Sequence, residues 1–253
     1  MPYAKYRGSW LAAKLGMALL TDIFINSSPM ETKPLIVSLT TWKGRICSDT
    51  VPKNISRLLR QKTKADYRVV LVLSTDEFPG KEREVPGKIL DIAKSDPRFS
   101  IVWQKANTRA LKKLTGAQFA FPGHPVLTTD DDIAVKDSFV EDFWRVHREH
   151  PREIIGADVW FHPCGFDITG WARLFPADCL AKLPDSLFMK YFRGLEDDVW
   201  NGLRACLVGT RHRKLGSWPF VEQVRIGDTA LSGKYLETDP VEMLRRFARE
   251  WKA

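Results

Sequence analysis

The sequence lacks the features that mark membrane-spanning, disulfide-rich and nucleic-acid-binding chains. It has no apolar run of about 18 residues or more, so we expect no spanning helix. Its four cysteines are far apart and form no CxxC pair, which argues against a structural zinc site or a disulfide framework and favours free thiols in a reducing compartment. There is no internal repeat, no low-complexity segment and no long block of Lys and Arg.

What remains is the composition of an ordinary soluble globular protein. The chain has 253 residues, of which 44% are hydrophobic and 28% charged, enough for one large domain or two small ones. The net charge of +8 indicates an anionic partner, such as a lipid headgroup, a phosphorylated substrate or a nucleic acid. Because no nucleic-acid-binding motif accompanies the charge, we expect a partner other than nucleic acid.

The N-terminal segment is apolar over residues 10–24, WLAAKLGMALLTDIF, with two charged residues interrupting it. No small-residue cleavage site follows cleanly, so the segment is not typical of a signal peptide. Two interpretations stay open: an amphipathic helix packed on the domain, or a surface anchor on anionic lipid assisted by Lys5, Arg7 and Lys14. We therefore treat residues 1–30 as an N-terminal amphipathic helix.

Short apolar runs then alternate with helix-length segments. Strands are predicted over residues 34–42, 67–74, 99–104 and 124–130, and helices over residues 51–62, 87–95 and 108–121. Because helix-length segments separate the strands, we expect crossover units and a largely parallel sheet. This first part of the chain therefore predicts a Rossmann-like α/β half.

The alternation loosens in the second half of the chain. Helices are predicted over residues 137–150, 194–209 and 240–253, and a strand over residues 153–161. Residues 162–175 are rich in Gly, Pro and aromatic side chains, and we expect them to be irregular. The predicted fold class is α/β, with a mixed, mostly parallel sheet flanked by helices in a single domain.

Three consecutive aspartates, Asp130, Asp131 and Asp132, come directly after a predicted core strand. Ligands of open α/β sheets bind at the carboxyl ends of strands, and hard cations such as Mg²⁺ or Mn²⁺ prefer oxygen ligands. On an extended segment Asp130 and Asp132 would face one site while Asp131 faces elsewhere. A turn or a helix cap is the alternative explanation, since Asp is common in both.

A second acidic group, Glu196, Asp197 and Asp198, stands at the start of the helix predicted over residues 194–209. The helix macrodipole favours acidic residues there. A capping role explains one acidic residue, however, and not three in succession. Together the two groups favour a site that uses several carboxylates.

Four segments, in their order and spacing, resemble a group of bacterial glycosyltransferases with the GT-A fold. That group is classed near the family 2 enzymes and acts in capsule or lipopolysaccharide assembly. The segments are IVSLTTWKGRI (36–46), LLRQKTKADYRVVLVLSTDEFP (58–79), NTRALKKLTGAQFAFPGHPVLTTDDDI (107–133) and EDDVW (196–200). The resemblance implies a GT-A domain over residues 31–253, with a nucleotide-binding half (31–133) and an acceptor-binding half (134–253).

The resemblance also implies a reaction. A metal-dependent inverting glycosyltransferase of the hexosyltransferase type would move a sugar from a nucleotide-sugar, by analogy a UDP-sugar, to a hydroxyl group. The acceptor would be a glycan or a lipid-linked sugar in surface polysaccharide synthesis. Mn²⁺ or Mg²⁺ would offset the charge on the departing diphosphate, and a carboxylate would take the proton of the acceptor hydroxyl. A base on the face opposite the leaving group gives inversion at the anomeric carbon.

Individual residues receive roles from the same resemblance. The DxD motif would supply the metal ligands Asp132 and Asp130, and the general base would be Asp198, with Asp197 as the alternative. The nucleotide-sugar contacts would be Thr40, Thr41, Arg45, Asp76, Lys112, Lys113, Asp130 and Asp131. The acceptor contacts would be Trp160, Trp171 and Glu196, with Phe161 and Phe166 as further aromatic surfaces. His212 would be a third metal ligand or a surface histidine.

Ordinary structural roles compete with several of these assignments. Lys112 or Lys113 would lie on a solvated helix face, Arg45 would pair with a local carboxylate, and Asp76 would begin a turn. At the level of the whole protein, the alternatives are a metal-dependent nucleotidyl- or phosphotransferase and a noncatalytic domain that binds nucleotide-sugar or glycan. Because sugar nucleotides are cytosolic, the expected location is the cytoplasm, with or without peripheral attachment to the inner face of the cell membrane.

Overall fold

The computed structural model describes residues 33–223 and 239–251, so the predicted N-terminal helix lies outside the described residues. The strands are β1 Leu35–Thr40, β2 Tyr67–Ser74, β3 Phe99–Gln104, β4 Val126–Thr128, β5 Ile133–Val135, β6 Ile154–His162, β7 Phe166–Phe175, β8 His212–Lys214 and β9 Phe220–Gln223. The helices are α1 Thr50–Leu59, α2 Gly87–Ser95, α3 Lys112–Ala120, α4 Phe139–Glu149, α5 Asp185–Phe192, α6 Asp197–Leu207 and α7 Pro240–Trp251.

Seven strands form one mixed sheet in the order β3–β2–β1–β4–β7–β6–β8. Strands β3, β2, β1 and β4 are parallel to their neighbours, β7 is antiparallel to both β4 and β6, and β8 is parallel to β6. Strands β5 and β9 form a separate antiparallel pair. The apolar runs of β1 and β2 are buried on both faces, as expected of strands covered by crossover helices. The predicted fold class, α/β with a mostly parallel sheet, is confirmed.

The prediction that residues 162–175 are irregular is wrong for most of that stretch, because residues from Phe166 onward form β7. Strand β7 pairs with β4 on one side and β6 on the other, and Gly165 supplies the positive φ of 97° in the β6–β7 turn. A register shift between Gly156 and Asp158 interrupts the β6–β7 pairing, and Trp171 has a φ of 65°. These interruptions, and burial on both faces, remove the simple alternation that marks a strand in sequence.

The other predicted elements lie close to their predicted positions, with two differences near the carboxyl edge of the sheet. Helix α5 and strands β5, β8 and β9 were not predicted. Strand β4 ends at Thr128, two residues earlier than predicted. The helix predicted over residues 108–121 begins as a 3₁₀ turn at Arg109–Leu111 before α3. Both differences leave polar residues outside regular elements, at the edge where Asp130 lies.

The core has two main layers, one on each sheet face. Apolar side chains of α1, α2 and α4 pack with one face, whereas those of α3 and α6 pack with the other. A further cluster surrounds Trp200, where α5, α6 and α7 meet. No helix in the described part of the chain has the length and apolar character needed to span a bilayer.

Candidate active site

The first acidic group lies just beyond β4 and turns immediately into β5. Residues 131 and 132 form a turn, so the extended segment expected from the sequence does not exist there. The guanidinium of Arg45 lies 2.5 Å from Asp131 Oδ1 and 3.4 Å from Asp132 Oδ2. The expectation that Asp131 faces away from Asp132 is therefore wrong, because one arginine holds both carboxylates.

Asp131 is the most buried of the three aspartates, with 4% of its surface exposed. Its backbone oxygen accepts a hydrogen bond from Asn54 Nδ2 at 2.7 Å, which links the turn to α1. Burial raises the pKa of Asp131 even though Arg45 opposes the rise. The Arg45–Asp131 pair therefore holds the turn in place.

Asp132 carries negative charge that its surroundings only partly offset. Burial raises its pKa to about 6, and the carboxylates of Asp130 and Asp131 add to the rise. Within residues 33–223 and 239–251, no group of three or more His, Cys, Asp or Glu side chains is arranged to hold a metal ion by itself. The carboxylates of Asp130 and Asp132 are nevertheless hard oxygen donors with surplus negative charge. Such donors fit Mg²⁺ or Mn²⁺, which usually share protein carboxylates with water and substrate phosphates.

The second acidic group lies at the start of α6 and is held by Arg173 of β7. Arg173 is 1% exposed; its Nη2 lies 2.6 Å from Asp197 Oδ2 and its Nη1 lies 2.7 Å from Asp198 Oδ1. The residue opposite Arg173 across the β4–β7 pair is Thr128, the last residue of β4. This register brings the start of α6 to the edge where the first acidic group lies.

Lys113 joins the two acidic groups. Its Nζ lies 2.6 Å from Asp130 Oδ1 and 3.9 Å from Asp197 Oδ2, and the residue is 3% exposed. The hydroxyl of Ser38 in β1 donates to Lys113 O at 2.5 Å, which fixes the first turn of α3 against the sheet. The solvated-face alternative for Lys113 is therefore wrong, and two groups far apart in sequence share one cation.

Asp197 and Asp198 have opposite protonation properties. Burial pushes the pKa of Asp197 upward, but Arg173 and Lys113 outweigh it and hold the pKa below its usual range. Burial raises the pKa of Asp198 to about 7; Arg173 offsets part of the rise and the Asp197 carboxylate adds to it. The Asp198 side chain is 33% exposed, whereas that of Asp197 is 7% exposed. Asp198 is thus the carboxylate that can reach a ligand and exchange a proton near neutral pH.

Trp160 and Asp198 flank a glycine on β7. A Cβ atom at Gly170 would lie 2.7 Å from Cη2 of Trp160 and 3.4 Å from Oδ2 of Asp198. The first distance is shorter than any normal contact, so the indole lies over Gly170 because that residue has no side chain. Trp160 is 41% exposed, which presents an aromatic surface beside the Asp198 carboxylate.

The other residues predicted to contact an acceptor have different surroundings. Trp171 packs in an aromatic group with Trp218 and Phe220, at centroid distances of 5.8 and 6.1 Å. Glu196 precedes α6 with a φ of 58°, and its carbonyl accepts a hydrogen bond from Trp200 N. Glu196 therefore shapes the turn that delivers Asp197 and Asp198 to the site.

The residues predicted to contact the nucleotide-sugar lie along the carboxyl edge of the sheet, and most of them are buried. Thr40 Oγ1 donates to Val72 O at 2.7 Å, Thr41 is 3% exposed, and Asp76 is exposed. Thr40 thus links β1 to β2 at their carboxyl ends. The backbone N–H of Asp76 donates a hydrogen bond to Lys105 O at 3.1 Å.

Lys112 is 1% exposed, so its solvated-face alternative is also wrong. Its Nζ lies 3.3 Å from Glu77 Oε2 and 3.1 Å from Asn107 Oδ1, and burial lowers its pKa. The other carboxylate oxygen of Glu77 accepts a hydrogen bond from Lys43 N. Glu77 therefore ties together the loops that follow β1 and β2 and the start of α3.

No sequence pattern distinguishes Glu77 from its neighbour Asp76, but the importance of Arg173 could have been recognised from the sequence. Arg173 is the single charged residue in the run WARLF, and a cation in a buried strand must have carboxylate partners. That run was expected to be irregular, so Arg173 was missed.

His212 lies on β8 opposite Ile154, and burial lowers its pKa to about 4, so its imidazole is neutral at physiological pH.

Comparison with known proteins identifies the fold. No protein-family model and no curated protein matches the chain. The mannosyltransferase PcManGT from Pyrobaculum calidifontis, solved in complex with GDP-Man and Mn²⁺, superposes with a TM-score of 0.52 at 14% identity over 94% of this chain and 74% of that one. This likeness shows that the chain has a GT-A-type, Rossmann-like fold.

Two further solved structures are similar to a lesser degree. TarS from S. aureus, in complex with UDP-GlcNAc, has a TM-score of 0.48 at 12% identity over 78% of this chain and 60% of that one. The 4-diphosphocytidyl-2C-methyl-D-erythritol synthase from Anaerococcus prevotii has a TM-score of 0.42 at 11% identity over 82% of this chain and 97% of that one.

The opposite pKa shifts of the two carboxylates predict opposite effects on stability. Asp198→Asn removes a carboxylate whose folded-state pKa is raised, so the variant gains stability relative to wild type as pH rises from about 4 to about 8. Asp197→Asn removes one whose folded-state pKa is lowered, so it loses roughly 3 kcal/mol at neutral pH and less as pH falls through the acidic range. Urea unfolding of both variants across this pH range measures the difference. If the stability of both variants relative to wild type changed with pH in the same direction, the opposite pKa shifts assigned to Asp197 and Asp198 would be contradicted.

Proposed function

We propose that this protein is a metal-dependent inverting glycosyltransferase that moves a sugar from a nucleotide-sugar to a hydroxyl of a glycan or lipid-linked acceptor. The observation that carries the proposal is the meeting of the two acidic groups through Lys113 and Arg173 at the carboxyl edge of β4. One group has surplus negative charge suited to a cation. The other has a carboxylate, Asp198, whose pKa is near neutrality.

On the donor side, Asp130 and Asp132 would hold Mg²⁺ or Mn²⁺. The ion, when bound, supplies charge neutralisation for the diphosphate leaving group. Lys113, 2.6 Å from Asp130, adds a fixed positive charge beside the same position. The mannosyltransferase with the same fold was solved with GDP-Man and Mn²⁺. We propose UDP-sugars as the first donors to test, with GDP-sugars second.

On the acceptor side, Asp198 is the proposed general base. As the acceptor oxygen bonds to the anomeric carbon, the bond from that carbon to the diphosphate oxygen breaks and the hydroxyl proton passes to the Asp198 carboxylate. The nucleoside diphosphate leaves, and attack from the opposite face inverts the anomeric centre. Asp197 is a positioning residue, because it stays ionised and holds Arg173 and Lys113 in place.

The exposed indole of Trp160 supports a sugar acceptor. Pyranose rings present apolar C–H faces, which pack well on aromatic surfaces. Trp160 offers such a face next to Asp198, where the attacking hydroxyl must lie. We further propose that the acceptor is a growing surface polysaccharide, with Trp171 and Glu196 contributing to the acceptor-binding half, and that the reaction takes place in the cytoplasm.

Nucleoside diphosphates with Mn²⁺ are expected to stabilise the protein, by about 2.7 kcal/mol at a concentration 100 times Kd. A thermal-shift screen of UDP, GDP, CDP and ADP, with and without Mn²⁺, identifies the base and the metal dependence. Asp132→Asn should remove the Mn²⁺-dependent part of the shift. Asp137→Asn, a matched change at a side chain that is 72% exposed, should leave it intact. Equal Mn²⁺-dependent shifts in both variants would contradict the proposed ligand.

Asp198→Asn is expected to lower kcat by roughly 10²- to 10⁴-fold while the nucleotide-dependent thermal shift persists. In the wild type, kcat/KM should rise with pH and level off above about 7, because the base must be ionised. Asp178→Asn, at a side chain that is 72% exposed, is the control.

The products should be free nucleoside diphosphate and a transferred sugar whose anomeric configuration is inverted, as determined by NMR. Release of pyrophosphate would instead identify a nucleotidyltransferase, and full activity of Asp198→Asn would favour another base.

Gly170→Ala is expected to displace the Trp160 indole and raise the acceptor KM roughly tenfold, equivalent to about 1.4 kcal/mol, while the donor KM stays unchanged. Gly87→Ala, where a Cβ meets nothing within 4 Å, is the matched control. Steady-state kinetics with each substrate varied in turn separates the two constants. A change in donor KM alone would assign Trp160 to the donor.

A further inference from the structure

A groove of about 530 Å³ runs between α1 and α2 and is strongly basic. Its charged lining consists of Lys53, Arg57, Arg60 and Lys88, with Asp49 as the one acidic residue. Asp49 pairs with Lys88 at 2.7 Å. Lys53, Arg57 and Arg60 form no ion pair with any residue that the structure describes. The groove therefore carries a surplus of three positive charges.

This groove is separate from the candidate active site. Helices α1 and α2 pack on one face of the sheet through Val51, Ile55 and Ile89, whereas α3, which carries Lys113, packs on the other face through Leu114. A ligand in the groove would thus leave the carboxyl edge of β4 accessible. The proposed transfer reaction does not use the groove cations.

The groove lining includes Arg60, directly after α1. Leu35 N, at the start of β1, donates to Asp66 O at 2.9 Å. The hydroxyl of Tyr67 donates to Leu58 O at 3.0 Å, at the end of α1, next to Arg60. These two hydrogen bonds therefore link the starts of β1 and β2 to the end of α1, beside Arg60 of the groove.

We propose that the α1–α2 groove binds the phosphate groups of an anionic lipid bilayer. Its lysine and arginine side chains are long, and Lys53, Arg60 and Lys88 are exposed, which suits an extended surface of many phosphates better than one enclosed ligand. Each such cation near an anionic surface strengthens binding. The proposal is independent of the proposed function.

Sedimentation of the full chain with vesicles tests the proposal. Wild type should bind vesicles of equal phosphatidylglycerol and phosphatidylcholine, and bind phosphatidylcholine vesicles far more weakly. The double variant Lys53→Gln with Arg60→Gln changes two exposed side chains and should bind the anionic vesicles roughly 30-fold more weakly. The control, Lys182→Gln with Lys190→Gln, has the same net charge and alters exposed residues away from the groove, so it should bind like wild type.

Three outcomes would overturn the proposal. The first is equal binding of wild type to anionic and neutral vesicles. The second is equal loss in the groove variant and the control, which would indicate a net-charge effect. The third is a groove variant that binds vesicles like wild type but no longer binds soluble polyphosphate, which would assign the groove to a soluble polyanion. Thermal unfolding of both variants checks that each is folded.

Discussion

The site depends on one buried cation, Arg173. An arginine that is 1% exposed on a central strand is stable only with carboxylate partners, and Asp197 and Asp198 supply them. These contacts anchor the start of α6 to β7. Lys113 then extends the network to Asp130, so the positions of β4, α3, β7 and α6 at this edge depend on each other.

The same network separates the properties of two adjacent carboxylates. Asp197 receives charge from both Arg173 and Lys113 and stays ionised, while Asp198 shares only one of these close contacts and keeps a pKa near 7. A carboxylate held in this way is costly to the folded state at neutral pH but is suited to accepting a proton. The energetic cost and the proposed chemistry therefore have one physical origin, which is burial beside a like charge.

Much of the fold was predictable because its central strands are continuous apolar runs separated by amphipathic helices. The prediction failed at β7, where Gly170, the positive φ of Trp171 and a register shift hide the strand. That failure also hid Arg173. Glu77 was missed for a different reason: its partners, Lys43 and Lys112, come from the loop after β1 and from the start of α3, so no local pattern distinguishes it from Asp76.

The sequence by itself determined the α/β class, the order of most elements and the presence of two acidic groups at element ends, because hydrophobic period and charge clustering are local properties. Only the tertiary structure decided which aspartates share a cation, which of Asp197 and Asp198 is the more exposed, and that Trp160 lies over Gly170. Those features depend on strand register and on burial, and both arise from contacts between residues distant in the chain.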